Sequence, residues 1–344
     1  MIKKLEAYDI CHFPLKLIAS YLQNRKQYVK INNTFSSVGD ITFGVPQGSV
    51  LGPLLFLIYI NDLTNLSDQY KSILFADDTT LSFGGKHPLE LTQLCNAELS
   101  KFSEWAISNR LSINVEKTFF NIISNSHHDF SLIELILDNR QLTRKNPITY
   151  LGVVFDENLN FKDHINFVCK KVSKSIGVLN KLKTFTPFST MKSLYYSLIY
   201  PYLNYCNLIW GGTFSTHLNP LIILQKKAIR IINNTSYLHH TNNLFFNCSI
   251  LKLNDIHRFN LVKYMYKLND HSTFTRSHDY LTRSRNLLNP NFHRLTVTQN
   301  SVSFKGPLEW NKLPIFVKES QSFEIFKTRV KNHLIEAYSQ VSID

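Results

Sequence analysis

The tightest constraint in the sequence lies between Ser72 and Phe83. An apolar run, Ser72-Ile73-Leu74-Phe75, and a β-branched one, Thr79-Thr80-Leu81-Ser82-Phe83, flank Ala76-Asp77-Asp78. Flanks of this kind read as two short strands, which puts the two acids at the tip of a hairpin. Adjacent carboxylates at a tight turn repel each other and are relieved by a cation, and hard divalent ions such as Mg²⁺ take oxygen ligands. A solvated aspartate turn explains the same residues. Taken by itself, the pair leaves both readings open.

The segment upstream is the second informative one. Gly44-Val45-Pro46-Gln47-Gly48 is a turn cluster, Ser49 is a suitable helix cap, and the spacing predicts a helix over 51–66. That helix is apolar nearly all round and is expected to be buried. Gly48 lets a flat ligand approach the backbone closely, and Gln47 places an amide beside it; a plain helix-start turn accounts for these residues equally well.

Around these two sites the periodicities predict a helix over 14–22, and strands over 27–31 and 38–43 that form a hairpin with a basic face. A helix follows over 87–109, with Leu91, Leu94, Cys95, Phe102, Trp105 and Ala106 on one face. Strands follow over 119–124, 133–137 and 148–155. This alternation implies an α+β fold, an antiparallel sheet with helices on one face. After Asp156 the pattern turns helical, over 163–183, 188–199, 218–234 and 255–269, with a domain boundary near 158. A short strand pair is expected near 293–304 and a turn at Gly306-Pro307 holding Trp310. Ser322 is expected to cap a last helix that ends near Tyr338.

Composition narrows the partners. Lys and Arg number 38 against 25 Asp and Glu, a formal excess of 13. Much of it lies on the predicted helices, at Lys170, Lys171, Lys174, Lys226, Lys227 and Arg230. An excess of this size points to a polyanion such as nucleic acid. The five cysteines are scattered, without C-x-x-C spacing, which argues against a disulfide scaffold or zinc knuckle and fits a reducing compartment. Neither His127-His128 nor His239-His240, taken with Cys248 and His257, has the spacing of a compact zinc finger. No apolar run reaches the length of a membrane span and no signal peptide is evident, so cytoplasm or nucleus is expected.

Taken together, the motifs resemble one family. The run from Gly44 to Leu63, GVPQGSVLGPLLFLIYINDL, followed at short range by Phe75-Ala76-Asp77-Asp78, closely resembles reverse transcriptases, and specifically those of jockey-like non-LTR retrotransposons. The stretch Trp105 to Asn114 with Lys117-Thr118 is similar to the family's helix-and-lysine segment. Tyr150-Leu151-Gly152-Val153-Val154 is similar to its primer-grip hairpin, and Gly306 to Pro314 to the carboxy-terminal segment of such elements.

The resemblance implies a partial polymerase palm with part of the fingers (1–158), a helical thumb (159–272) and a small carboxy-terminal extension (273–344). It implies that Asp77 and Asp78 hold Mg²⁺ or Mn²⁺, and that Lys117 lies near the leaving pyrophosphate as a general acid. Pro46, Gln47, Gly48, Phe75 and Ala76 would line the nascent base pair, and Tyr150 to Val153 would hold the primer 3′ end. The partners implied are an RNA template, a DNA primer or duplex, and deoxynucleoside triphosphates, with no membrane. The family site has a third metal-binding carboxylate on a strand just upstream of a segment like Met1–Ile10, where this sequence starts. Asp9 is a poor stand-in, so the two-ion site is expected to be incomplete and polymerisation by this chain deficient. A non-catalytic nucleic-acid-binding remnant is the alternative expectation, and a structural protein with a bland acidic turn is the third.

Overall fold

The computed structural model describes residues 1–46, 48–124, 129–268, 275–276, 287–290 and 293–339. The chain divides into two compact units. One comprises residues 1–120 and the segment ending at Arg144; the other runs from Lys145 onward and includes a short stretch beginning at Asn121.

In the first unit, α1 (Ile2–Ala7) and α2 (His12–Leu22) precede two nested ribbons. β1 (Arg25–Gln27) and the later β4 (Gly39–Ile41) pair antiparallel, and within them β2 (Lys30–Ile31) pairs with β3 (Thr34–Phe35). Then come α3 (Leu51–Ile60), a 3-10 turn over Asn61–Asn65, and the hairpin of β5 (Lys71–Phe75) and β6 (Asp78–Ser82). Pro88 opens α4 (Pro88–Ser108), where its missing N–H has no intrahelical role. The unit closes with β7 (Phe119–Phe120), β8 (Ile136–Leu137), β9 (Arg140–Gln141) and β10 (Thr143–Arg144).

Lys4 ties this unit together. Its ammonium donates to the Tyr59 carbonyl at 2.5 Å and to Asp62 Oδ1 at 2.8 Å, and it lies over the rings of Tyr59 and Trp105. One cation therefore joins α1 to the end of α3 and to α4. Asn96 of α4 acts as a strand partner, donating to the Glu134 carbonyl at 3.0 Å and accepting from the Ile136 N–H at 2.9 Å. Leu99, Leu137 and Leu142 form the small core beneath.

Three expectations fail here. The strands do not join into one antiparallel sheet; they form separate two-stranded ladders, and β10 with β7 is parallel. Nor is α3 buried all round. Leu55 and Ile60 are inside, but Leu51, Leu54 and Leu57 form an exposed stripe, because α3 packs chiefly on α1 and on the 3-10 turn that follows it, which cover one face of the helix. The strand expected over 119–124 is two residues long.

The second unit begins with the hairpin of β11 (Ile148–Tyr150) and β12 (Val153–Phe155). The helices α5 (Lys162–Leu182), α6 (Phe188–Leu198), α7 (Tyr200–Asn204), α8 (Asn207–Trp210), α9 (Ser215–Ile232), α10 (Asn242–Cys248) and α11 (Leu253–Lys267) follow. Ile165, Val168, Val172, Ile176 and Leu179 recur at helical spacing on α5 and share the core with Leu221, Ala228, Ile229 and Ile232 of α9. β13 (Thr275–Arg276) pairs with β14 (Leu288–Asn289), and α12 (Thr296–Gln299), α13 (Val302–Asn311), α14 (Ile315–Lys318) and α15 (Phe323–Glu336) complete the chain.

The strand pair expected near 293–304 is helical instead, and Gly306-Pro307 lies inside α13 rather than in a turn. Packing decides this. A Cβ on Gly306 would meet Met265 Sδ of α11 at 2.8 Å, so glycine lets the two helices approach closely. Asn311 then bonds both backbone groups of Leu288, accepting at 3.0 Å and donating at 2.8 Å. Ser322 caps α15 as expected, accepting from the Ile325 N–H at 3.3 Å.

Two histidines are buried in this unit. His164 Nδ1 accepts from the Val154 N–H at 3.3 Å, and His257 Nδ1 lies 3.0 Å from the Asn207 carbonyl, an arrangement in which the nitrogen donates. Burial lowers the pKa of each to about 4. An unfolded histidine takes up a proton below about pH 6.5, whereas these stay neutral until about 4. The stability that depends on their neutrality is complete above the unfolded value and is lost as pH falls towards the folded one. Thermal melts of the chain should therefore shift steadily downward through that window, and His257→Asn should flatten the slope; a midpoint independent of pH there would refute the assignment. Gly212 supplies a second check. A Cβ there would meet the Asn300 carbonyl oxygen at 2.7 Å, so Gly212→Ala should cost about 1–3 kcal/mol in denaturant unfolding.

Candidate functional site

The acidic hairpin closes in two residues, with Phe75 opposite Asp78 and with Ala76 and Asp77 as the turn. Ala76 has φ +52°, a left-handed conformation that glycine usually takes and that costs alanine on the order of 1 kcal/mol. Both aspartates are exposed, and among the described residues neither accepts a hydrogen bond or pairs with a cation. In water, the repulsion of two charges 4 Å apart is only about 1 kcal/mol. The exposed pair therefore stands without a counter-ion, and charge alone does not demand a metal. What the turn offers is a set of free carboxylate oxygens, the donor type that divalent cations prefer. No group of three acidic, His or Cys side chains able to hold an ion occurs among the described residues.

Phe75 is 60% exposed, next to the equally open Ala76. Two positions apart on β5 and so on the same face, Ile73 and Phe75 leave one apolar side of the hairpin uncovered.

The turn before α3 is held by two side chains, Ser49 and Arg25. Ser49 Oγ donates to the Pro46 carbonyl at 2.7 Å and accepts from the Gly52 N–H at 3.0 Å, satisfying one of the free donors at the helix start. A Cβ on Gly52 would lie 2.8 Å from that same oxygen, which explains the glycine. Arg25 donates to the Gly44 carbonyl at 2.6 Å and also to those of Phe43 and Leu22. Gly48 has φ +77° with open space where a side chain would be. Gln47 lies outside the described residues.

Lys117 sits at the end of a 3-10 turn over Val115–Lys117, its side chain exposed. Asn114 fixes its backbone, accepting from the Lys117 N–H at 3.1 Å, while Thr118 Oγ1 donates to the Asn114 carbonyl. Upstream, α4 ends with Arg110 at φ +54° and the Leu111 N–H bonded to the Ala106 carbonyl, the pattern of a Schellman cap. These bonds account for much of the segment from Trp105 to Thr118. The structure shows no ion pair between Lys117 and Asp77 or Asp78.

Tyr150 to Val153 belong to the second unit. Leu151 and Gly152 form the turn, with φ +45° and +77°, the sign pattern of a two-residue I′ hairpin. Val153 is buried in the helical core, and Tyr150 is half-buried with a hydroxyl that has no partner among the described residues. The hairpin's outgoing loop is held by Asp156. Its carboxylate accepts from the N–H groups of Asn158, Asn160 and Phe161 at 3.1, 3.0 and 2.7 Å. Three residues that sequence reasoning passed over thus organise the sites: Arg25 for the glycine turn, Asp156 and His164 for the hairpin. The Asp156-x-Asn158-x-Asn160 spacing is a legible turn signal; Arg25 and His164 carry none, because their partners are backbone atoms remote in sequence.

Comparison with known proteins agrees with the resemblance. Residues 1–155 match the family described as reverse transcriptase (RNA-dependent DNA polymerase). The chain is 29% identical over 276 residues to the RNA-directed DNA polymerase from mobile element jockey of Drosophila melanogaster, covering 75% of this chain and 30% of that protein. It is 27% identical over 280 residues to a probable RNA-directed DNA polymerase from transposon X-element of the same species, covering 79% and 29%. It is also 26% identical over 185 residues to a retrovirus-related Pol polyprotein from type-1 retrotransposable element R1 of Bradysia coprophila, covering 53% and 18%. The chain thus spans less than a third of the length of these three relatives. No helix among the described residues is long and apolar enough to cross a membrane.

The two supports of the glycine turn can be separated. Ser49→Ala should cost about 1 kcal/mol and speed hydrogen exchange at the Gly52 amide, whereas Arg25→Ala should loosen residues 43–45 and leave Gly52 protected. Equal effects of the two substitutions at Gly52 would show that the turn moves as one body.

Proposed function

We propose, from the premise that residues 1–155 are a jockey-like reverse transcriptase segment, that this chain contributes the carboxy-terminal part of an RNA-directed DNA polymerase. The reading is carried by one observation: the two-residue turn presents both Asp77 and Asp78 unpaired, on a backbone strained at Ala76. Unpaired carboxylates fit a divalent cation, and Asp77 and Asp78 would hold it. When bound, such an ion makes a 3′-hydroxyl more acidic and offsets the charge of a leaving pyrophosphate.

In this reading the chain's other groups have the following roles. Gly48 leaves open space for a nucleobase edge, and Pro46, Gln47, Gly48, Phe75 and Ala76 would line the nascent base pair. Lys117 would deliver a proton to the leaving group. Tyr150, Leu151, Gly152 and Val153 would face the primer terminus through the hairpin tip; Val153 contributes only backbone, since its side chain is in the core. RNA template, DNA primer and deoxynucleoside triphosphates are the substrates of this reading. Residues 1–158 would be the partial fingers and palm, 159–272 a thumb whose lysines meet the duplex backbone, and 273–344 an extension. From Lys145, the last part of the first region packs with the helical unit.

A two-ion site needs a further acidic ligand, and no described cluster supplies one. The purified chain should therefore bind Mn²⁺ at the turn yet extend primers poorly. In NMR spectra, Mn²⁺ should broaden the amides of 76–78 selectively, and Asp77→Asn should abolish this while salt-sensitive duplex binding survives. Broadening spread evenly over the surface would overturn the metal role. Robust primer extension that depends on Asp77 would overturn the deficiency. Duplex binding absent even at low salt would remove the thumb.

A further inference from the structure

We infer that Tyr205 is a positioning residue for the tip of the 148–155 hairpin, an inference that rests on reading this tip as the element facing a primer terminus. Tyr205 Oη donates to the Leu151 carbonyl at 2.6 Å. The same ring lies against Gly152, where a Cβ would stand 3.5 Å from Tyr205 Cε1. One side chain, 54 positions away in sequence, thus touches both residues of the turn. Other bonds hold the strands behind the tip: His164 takes the Val154 N–H, and Asp156 the loop that leaves β12. None of these reaches Leu151 or Gly152.

Tyr205 can set a position because its own backbone is fixed. It ends α7, with its N–H bonded to the Pro201 carbonyl at 2.9 Å. Its carbonyl accepts from Trp210 Nε1 at 2.8 Å, and Trp210 is fully buried. The next residue, Cys206, turns the chain at φ +48° into α8. The ring therefore projects from a corner tied to the helical core, yet it is itself 53% exposed. A hydroxyl used only to complete a core would be buried. This one spans open surface to grip a carbonyl in a two-residue turn, and a turn held only by its flanking strands would be free to rock.

Two measurements on the full chain test this. Tyr205→Phe removes the hydroxyl and keeps the ring, and an exposed position tolerates the change. Loss of one neutral hydrogen bond should speed exchange of the Leu151 to Val153 amides about five-fold, with no change at Phe161 or Val172. The functional readout is fluorescence of 2-aminopurine at the 3′ end of a DNA primer annealed to an RNA template, compared with the same base placed internally. Wild type should alter the terminal signal. Tyr205→Phe should reduce that change several-fold and Tyr205→Ala should abolish it, with duplex affinity and the internal signal unaltered. If wild type alters the terminal signal and Tyr205→Phe does so equally, the proposal fails and the primer-facing reading stands. If wild type gives no terminal signal while exchange still responds to Tyr205→Phe, the primer-facing reading fails and the functional role of Tyr205 with it.

Discussion

A deeply buried helix must find partners for the polar groups it carries inside, and α11 imposes that condition on the second unit for all but His257 Nε2, which has none among the described residues. Asp255, His257 and Asn260 are all buried, and an orphaned polar group at such a place costs on the order of 1–3 kcal/mol. Asp255, Asn260 and the Nδ1 of His257 each find a partner on another element, His257 at the Asn207 carbonyl. Asp255 accepts from Tyr338 Oη at 2.5 Å and from Arg258 at 3.1 Å. Arg258 reaches Glu309 of α13 at 2.7 Å, and Asn260 reaches Asn204 of α7 at 2.9 Å. The carboxy-terminal helices and the α7–α8 corner are thus specified by what α11 requires. Burial works to raise the Glu309 carboxyl, but the bonds from Lys312 and Arg258 outweigh it and hold the group below its ordinary range. The turn that holds Tyr338 joins the same network through its bond to Asp255.

The same corner bears on the candidate site. α7 and α8 lie against α11, and Tyr205 stands between them, so the order that α11 imposes reaches the 150–153 tip through one side chain. His164 and Asp156 anchor the rest of the hairpin to α5 and its entry loop. An element that the sequence groups with the strands before it is bonded to the helices after it, and any motion of the helical unit carries the hairpin along. The first unit is held differently. Its ties are Lys4, Asn96 and Arg25, each joining a helix or strand to a remote carbonyl, while Leu51, Leu54, Ile73 and Phe75 remain open to solvent.

Much of the local structure was legible. The apolar run before Ala76-Asp77 and the β-branched one after it gave the expected hairpin, with Asp78 opening the second strand instead of lying in the turn, and Ser49 and Ser322 bond where capping chemistry puts them. The long helices α4, α5, α9 and α11 lie within a few residues of their predicted spans, because apolar spacing over four or five turns is a strong signal. The errors share a cause. Gly306-Pro307 carries turn residues, yet it sits in a helix because the close approach to Met265 favours a residue without a Cβ there. The apolar run of α3 reads as buried, yet hydrophobicity states a preference for cover without showing that cover exists.

The sequence alone determined the likeness to reverse transcriptases that residues 1–155 bear. The glycine turn, the paired aspartates and the lysine segment are short motifs whose meaning is local, and their combined spacing is specific enough to point to a polymerase. It determined nothing about the bonds that hold those motifs in place, since Arg25 to Gly44, His164 to Val154 and Tyr205 to Leu151 each join a side chain to a backbone atom elsewhere in the chain. Backbone atoms are the same at every residue and leave no mark in composition or periodicity. Only the tertiary structure could show that the acidic turn stands free in one unit while the hairpin at 148–155 is bound into the other.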